Sequence, residues 1–357
     1  MDIHETYMKR CLYLAQKGIG TTRPNPSVGC VIVWNDTIIG EGYTQPYGGS
    51  HAEVVAIRSV ENPEILKEAT MYVTMEPCSH YGKTPPCADL IVKHKIPNVY
   101  IGVIDTFSKV SGRGVKRLQD AGCNVVTGLL EEACYQHHKR FFSVQNQKRP
   151  YIVLKWAETQ DGFIAPLSKD KDRPVWITNA SVQSIVHKWR SQEQAILVGT
   201  HTAISDTPVL DVRKWGGNSP VRIVIDRDLK IPTTAPLLDG SIPTILCTDI
   251  ASQGKVSARE NVSYEFIDFN TCLATTLCVL LQERQLQSVL IEGGAKTLQT
   301  FIDAGLWDEA RVFTGSVSFS EGVKAPIFSE IPAEVSVIGE TSLNVYYNTA
   351  VQREWKG

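Results

Sequence analysis

The segment His51-Ala52-Glu53, followed by Pro77-Cys78-Ser79-His80-Tyr81-Gly82-Lys83-Thr84-Pro85-Pro86-Cys87, decides how this chain is read. One imidazole, His51, and two thiols, Cys78 and Cys87, are the number and type of donors that hold a zinc ion while leaving its fourth tetrahedral position open. An open position suits a catalytic ion, because a structural zinc takes a fourth protein ligand. Glu53 lies close enough to His51 in sequence to move a proton at that position without being a ligand itself. A histidine and a glutamate at this spacing are common by chance, so the cysteines carry the assignment. A Pro-Cys pair after a buried strand, with the second cysteine at a helix start, has few structural reasons to exist in a reducing compartment.

The elements around the segment place both halves of it at helix starts. Thr70 to Met75 reads as a buried strand ending at Glu76-Pro77-Cys78. Pro85-Pro86 launches a helix at about Cys87, because proline suits a first turn. His51 opens a helix over Ala52 to Val60, and the partial positive charge at such starts favours thiolate over thiol. Upstream, Glu5 to Lys17 carries a helical stripe through Met8, Cys11, Leu12 and Ala15, stopped by Gly18. Pro24 and Pro26 forbid its continuation, and Val28 to Trp34 pairs with Thr37 to Glu41 across a turn at Asn35-Asp36. Downstream come a strand (Asn98 to Val103), a helix (Gly114 to Ala121), a strand (Cys123 to Thr127) and a helix (Leu129 to Val144). The alternation predicts a sheet covered by helices, an α/β/α unit.

The polar, aperiodic stretch Gln145-Asn146-Gln147-Lys148-Arg149-Pro150 marks a boundary, giving units 1–146 and 147–357. A second α/β pattern follows, with strands at Tyr151 to Trp156, Ala195 to Val198, Val221 to Asp226, Thr244 to Cys247, Ser288 to Glu292 and Ala310 to Phe313. Helices fit at Ser181 to Arg190, Leu273 to Gln285 and Lys296 to Ala304. A length of 357 residues suits two cores, and 43% hydrophobic residues can fill them. Lys and Arg number 36 against 38 Asp and Glu, so no basic field exists to hold nucleic acid. The polar, acidic start lacks signal-peptide character and no apolar run approaches about 18 residues, so a cytoplasmic protein without membrane contact is expected. Nine cysteines at irregular spacing are not a disulfide framework.

In the second half the clearest physical signal is Ser288-Val289-Leu290-Ile291-Glu292-Gly293-Gly294-Ala295-Lys296-Thr297-Leu298. A strand ending in paired glycines and opening a helix lets backbone N–H groups approach a phosphate, although the same turn is also ordinary α/β punctuation. A domain that borrows its reactive group from a cofactor needs no distinctive side-chain cluster of its own.

Several segments together resemble the bifunctional deaminase/reductase of riboflavin biosynthesis. In the first half they are Asn25-Pro26-Ser27-Val28-Gly29-Cys30-Val31-Ile32, His51-Ala52-Glu53-Val54 and the stretch from Pro77 to Cys87. Cys-x-x-Cys closes most related deaminase sites, whereas eight residues separate Cys78 from Cys87 here, so Gly82-Lys83-Thr84-Pro85-Pro86 is the specific part. In the second half they are Lys155-Trp156-Ala157-Glu158-Thr159-Gln160-Asp161-Gly162, Trp176-Ile177-Thr178, Arg190, the run from Thr202 to Arg213, and Glu292-Gly293-Gly294. The resemblance implies a cytidine-deaminase-like first domain and a dihydrofolate-reductase-like second domain using NADPH. It implies hydrolytic deamination of 2,5-diamino-6-(5-phosphoribosylamino)pyrimidin-4(3H)-one, then reduction of the ribosyl group to give 5-amino-6-(5-phosphoribitylamino)uracil.

By the same resemblance, His51, Cys78 and Cys87 bind one zinc and Glu53 shuttles protons. Asn25 would meet the pyrimidine edge and Lys83 the phosphate or ribose, the bland alternative for Lys83 being a solvated loop charge. Ala157, Trp176, Thr202, Asp206 and the turn Gly294, Ala295, Lys296, Thr297, Leu298, Gln299, Thr300 would line the cofactor. Arg190, Leu210, Arg213 and Glu292 would line the substrate, with guanidinium forks suited to a phosphate. A small-molecule substrate and a homo-oligomer are expected. The chain departs from the family pattern at Thr44, Val55, the run from Thr106 to Val110, Gln160, Pro174 and Arg227, where an arginine could greet a 2′-phosphate. Two other readings compete: a deaminase of nucleotides or RNA bases with a non-catalytic second half, and a zinc-stabilised scaffold without turnover. Balanced charge and the eight-residue spacing weigh against the first, and Glu53 with an incomplete ligand shell against the second.

Overall fold

The computed structural model describes residues 2–81, 85–105, 112–167 and 177–352. They form two compact units, Met1–Lys148 and Arg149–Gly357. The division falls slightly beyond the position expected from composition. The last helix of the first unit runs on through a π-helical turn, Ser143–Gln147, before Lys148 turns the chain with φ +55°.

The first unit comprises α1 (Ile3–Gln16), β1 (Gly29–Trp34), β2 (Thr37–Tyr43), α2 (Ala52–Arg58), β3 (Thr70–Met75), α3 (Cys87–Lys93), β4 (Asn98–Val103), α4 (Arg113–Asp120), β5 (Asn124–Thr127) and α5 (Glu131–Phe142). Its sheet runs β2-β1-β3-β4-β5, with β1 antiparallel to both neighbours and β3, β4 and β5 parallel. Strand alternation builds the layers. Cys30 and Ile32 face one side, where Ala52, Ala56, Ala88, Ile91 and Leu118 cover the sheet from α2, α3 and α4. Val31 and Val33 face the other, against Tyr7, Met8, Cys11 and Leu14 of α1 and Cys134 and Phe142 of α5. The result is the expected α/β/α sandwich. Ile32, Met71, Ile91 and Ile101 are fully buried, each worth about 1.5–3 kcal/mol in apolar transfer.

The second unit comprises β6 (Tyr151–Glu158), β7 (Phe163–Ala165), α6 (Ala180–Gln192), β8 (Ala195–Gly199), α7 (Thr200–Asp206), β9 (Val221–Ile225), β10 (Thr244–Asp249), β11 (Val262–Ile267), α8 (Leu273–Glu283), β12 (Ser288–Gly293), α9 (Ala295–Asp303), β13 (Glu309–Thr314), β14 (Val323–Lys324), β15 (Glu334–Ile338) and β16 (Thr341–Tyr347). The main sheet runs β11-β10-β9-β8-β12-β6-β13-β16-β15, parallel from β11 to β13 and closed by an antiparallel hairpin. Its central strands are mostly apolar because both faces are covered, with Lys155 of β6 and Arg222 of β9 interrupting the pattern. Ile152, Leu154 and Trp156 of β6 pack with Leu277, Leu281, Leu298 and Phe301 of α8 and α9, while Tyr151 and Val153 pack toward Trp189 of α6.

All six strands and three helices expected in this half are present. Helix α7, strand β11, the β7–β14 pair and the β15–β16 hairpin carry no readable pattern in the sequence. α7 is only seven residues long, too short to show a period, and β15 is exposed along almost its whole length, which erases alternation. Strand β12 enters between β8 and β6, so the order of strands reverses there. In open α/β sheets ligands bind outside the carboxyl ends of strands at such a reversal. No helix among the described residues is long and apolar enough to cross a membrane.

Candidate functional site

In the first unit β3 delivers the chain to Glu76-Pro77-Cys78, Pro86 stands at the N-cap of α3 so that Cys87 begins it, and His51 stands at the N-cap of α2. The three side chains converge. His51 Nδ1 lies 3.7 Å from Cys78 Sγ and 3.4 Å from Cys87 Sγ, and all three donor atoms lie within 4.8 Å of one another. Tetrahedral zinc with ordinary Zn–S and Zn–N bonds would set each N···S separation at about 3.6 Å, between the two observed values. The donor set and its spacing therefore fit zinc. The structure also settles which ring nitrogen faces the sulfurs: it is Nδ1.

Glu53 sits in the first turn of α2, only 4% exposed. Burial, and then the charge of Cys78, push its carboxyl up to about 7. The Cys78 thiol is drawn down to about 4 by its hydrogen bond with Cys87 and then by His51, while Cys87 is driven up by the same shared proton. The Cys87 N–H also donates to Cys78 Sγ at 3.3 Å. A carboxyl near neutrality, beside a cluster that favours a cation, can both accept and return a proton.

Asn25 lies half-buried in the turn before β1, its N–H donating to the Thr22 carbonyl at 3.1 Å while Thr22 Oγ1 donates to the Asn25 carbonyl at 3.1 Å. Thr44 is buried and extends the β1–β2 ladder: Val28 N–H donates to its Oγ1 at 2.9 Å. Lys83 lies outside the described residues, as does the departure over Thr106 to Val110.

In the second unit the register sets Ile291 of β12 against Leu154 of β6, which brings Glu292 beside Lys155. From α6, Arg190 donates through Nε to Glu292 Oε1 at 2.8 Å and through Nη2 to Oε2 at 2.9 Å, and Lys155 Nζ stands 3.6 Å from Oε2. Burial pushes the Glu292 carboxyl up, but Arg190 and Lys155 outweigh it and hold it at about 2. Arg190 Nη1 also donates to the Asp211 carbonyl at 3.2 Å, and Arg213 pairs with the Asp211 carboxylate. Leu210, 2% exposed, has its side chain in the core, with φ +57°. Three cations thus meet two carboxylates, leaving a net positive charge that suits an anion.

The glycine turn is tight for a local reason. A Cβ at either Gly293 or Gly294 would lie 3.1 Å from Thr202 Oγ1, so α7 and the start of α9 approach as closely as glycine allows. Thr297 likewise faces Gly199, where an added Cβ would lie 2.6 Å from its Oγ1. Thr202, Gly294 and Thr297 are therefore brought together, with Asp206 exposed at the end of α7 and Ala157 half-buried on β6. Ala295 is half-buried and Lys296 exposed in the first turn of α9. Three members of the expected cofactor turn have side chains engaged elsewhere. Leu298 is core, Gln299 Oε1 accepts the Ile327 N–H at 2.7 Å, and Thr300 Oγ1 donates to the Lys296 carbonyl at 2.9 Å. Trp176 and Pro174 lie outside the described residues. Arg227 is half-exposed and faces Asp249 and Asp228 at 3.6 and 3.8 Å.

Comparison with known proteins joins the two halves. Residues 1–103 match the cytidine and deoxycytidylate deaminase zinc-binding region, and residues 150–335 match the RibD C-terminal domain. The riboflavin biosynthesis protein RibD of Aquifex aeolicus is 37% identical, covering 90% of this chain and 89% of its own length. This chain belongs to the RibD family. RibD of Escherichia coli is 35% identical over 87% of this chain and 86% of its own. A crystal structure from Thermotoga maritima, described as a diaminohydroxyphosphoribosylaminopyrimidine deaminase/5-amino-6-(5-phosphoribosylamino)uracil reductase, superposes with TM-score 0.88 at 34% identity, covering 97% of this chain and 98% of that one. RibD of Acinetobacter baumannii superposes with TM-score 0.84 at 30% identity over the same shares.

Three further residues of the chain lie outside the set expected from sequence. Lys155 is a charge inside an otherwise apolar central strand, and that mismatch was the available signal. His187, one turn before Arg190, is 4% exposed and its Nδ1 has no hydrogen-bond partner among the described residues, which no sequence pattern reveals. Glu76, 6% exposed, is a buried carboxylate immediately before Pro77-Cys78.

Proposed function

We propose that this chain carries out two successive steps of riboflavin biosynthesis. Residues 1–146 hydrolytically deaminate 2,5-diamino-6-(5-phosphoribosylamino)pyrimidin-4(3H)-one, and residues 147–357 reduce the ribosyl side chain with NADPH to give 5-amino-6-(5-phosphoribitylamino)uracil. The observation that carries this is the convergence of His51 Nδ1 with the Cys78 and Cys87 thiols beside a buried Glu53, in a chain of this family.

In the first step His51, Cys78 and Cys87 would hold zinc, which when bound would supply the Lewis acidity that makes water a nucleophile at neutral pH. Glu53 takes the proton released as the water attacks the ring carbon bearing the amine. It then delivers that proton to the ring nitrogen, takes a second from the hydroxyl added to the carbon and passes it to the amine, which leaves as ammonia. Its burial keeps the carboxyl out of bulk water, so the proton passes between substrate and enzyme. Asn25 orients the pyrimidine edge and Lys83 meets the substrate phosphate or ribose.

In the second step Ala157, Trp176, Thr202, Asp206 and the turn from Gly294 to Thr300 would hold NADPH, which when bound would supply the hydride. Arg190, Arg213, Leu210 and Glu292 hold the phosphoribosyl substrate, with Leu210 and Leu298 contributing backbone rather than side chain. Lys155 adds the cation that leaves this cluster positive. Relatives of one name match across both halves, which speaks against an inert second unit.

The test is a stoichiometry. The purified chain, given the diaminopyrimidine and NADPH, is expected to release one ammonia and then oxidise one NADPH per substrate. NADPH oxidation without prior ammonia release would overturn the order of steps, and ammonia release without NADPH oxidation would leave a deaminase alone.

A further inference from the structure

Glu76 is a buried carboxylate for which no ion pair exists among the described residues, and four backbone N–H groups satisfy it instead. Oε1 accepts from Gly114 at 2.7 Å and Val115 at 3.3 Å, and Oε2 accepts from Gly112 at 3.1 Å and Asp105 at 3.2 Å. The donors belong to two places: the residue Asp105 that follows β4, and the first turn of α4. α4 begins after Gly112, which has no side chain to cap it. Glu76 supplies the missing cap from another strand, and its negative charge faces the positive end of the helix.

A second contact fixes the same point. A Cβ at Gly114 would lie 2.1 Å from the Pro77 carbonyl oxygen, so the helix start presses directly on the residue before Cys78. Glu76 also donates its own N–H to the Val103 carbonyl at 2.9 Å. The dipeptide that leads from β3 to Cys78 is therefore held on three sides: by the neighbouring strand, by the carboxylate cap and by the glycine contact.

We propose that Glu76 is a positioning residue for the deaminase centre. Its carboxylate locks the turn that carries Cys78, so that the thiol is aimed at His51 Nδ1 and Cys87 before any metal binds. It touches neither metal nor substrate and acts only through Cys78. This rests on the reading of the first unit as a zinc deaminase. Outer partners that orient metal ligands are typically worth about 10–100-fold in affinity or activity, which sets the expected size.

The test uses the full chain and the isosteric Glu76→Gln substitution. The amide can still accept from Gly114 and Val115 through its oxygen, but its NH2 group opposes the N–H groups of Asp105 and Gly112. Zinc affinity in a competition titration is expected to fall about 10–100-fold. The cobalt-substituted protein should show a weakened thiolate charge-transfer band, and the deaminase kcat at saturating zinc should fall without a matching rise in KM. NADPH oxidation with the deaminated pyrimidine stays unchanged, and an unaltered unfolding midpoint of the first unit reports that the substituted unit is folded. Wild-type zinc affinity, spectrum and kcat in Glu76→Gln would overturn the proposal, while an unsubstituted chain that binds no zinc and releases no ammonia would overturn the deaminase reading beneath it.

Hydrogen exchange on the unsubstituted chain needs no variant. Amides at the start of α4 should be equally protected before and after zinc is removed by a chelator. Protection that appears only with zinc would mean that the metal organises the turn, and the proposal would fail.

Discussion

The two charged clusters of this molecule are held in opposite ways. In the first unit His51, Cys78 and Cys87 come from within 36 positions of one another and present three electron-pair donors to a common point. In the second, Arg190 and Glu292 stand 102 positions apart and consume each other's charge in two hydrogen bonds of 2.8 and 2.9 Å. The first arrangement is chemically incomplete without a cation. The second is nearly balanced, and only its surplus charge is left to attract an anion. Substituting the first cluster should therefore damage chemistry more than folding, and substituting the second should damage both.

The strongest way to break that contrast is Glu53→Gln. It should retain one zinc per chain by metal analysis yet slow ammonia release by about 10²–10⁴-fold, the usual contribution of a positioned acid–base group. NADPH oxidation with the deaminated pyrimidine should be untouched. A large loss of folding stability instead would show that the first cluster is structural.

Arg190→Ala probes the other side. It removes the main partner of a carboxylate whose side chain is 8% exposed, leaving Lys155 alone at 3.6 Å. Breaking a buried pair in this way costs about 3–5 kcal/mol, here reduced toward about 3 by the lysine. Denaturant unfolding of the second unit should register it, alongside a raised KM for the reductase substrate. An unchanged midpoint would mean the pair contributes nothing to the fold.

The pair also predicts a pH dependence. Glu292 lies at about 2 in the folded chain against an ordinary 4.5, so the unfolded chain binds more protons between those values and stability rises with pH there. The contribution, about 3 kcal/mol, is complete above the ordinary value and is lost as pH falls from about 4.5 to 2. Glu292→Gln should flatten acid unfolding of the second unit in that window, and an unaltered acid limb would show that other carboxylates govern it.

The smallest effect is expected at Arg227, the position where the sequence suggested a partner for a 2′-phosphate. Its guanidinium is half-exposed and already faces Asp249 and Asp228. Arg227→Ala should change stability by less than about 1 kcal/mol and leave the preference for NADPH over NADH nearly as it was. A marked loss of that preference would return Arg227 to the cofactor site.

The contrast also explains what could be read in advance. A metal site is written locally, because helix starts at His51 and Cys87 and a strand end before Cys78 each leave their own marks in proline and apolar pattern. The layers of both units were legible for the same reason. The anion cluster was only partly so: Arg190 and Glu292 came from resemblance, but their mutual pairing depends on the register of β12 against β6, which no local pattern encodes. Lys155 shows in the sequence only as a charge within an apolar run, and Glu76 not at all, because the groups that satisfy each lie far away along the chain. The exposed hairpin of β15 and β16 left no alternation to read.

The most direct measurement of the central claim is selective metal removal. Chelated, zinc-free protein should release no ammonia from the diaminopyrimidine, yet oxidise NADPH at the full rate when the deaminated pyrimidine is supplied, with zinc restoring the first activity. Undiminished ammonia release by the zinc-free chain would contradict the account, because the convergence of His51, Cys78 and Cys87 would then have no part in the reaction.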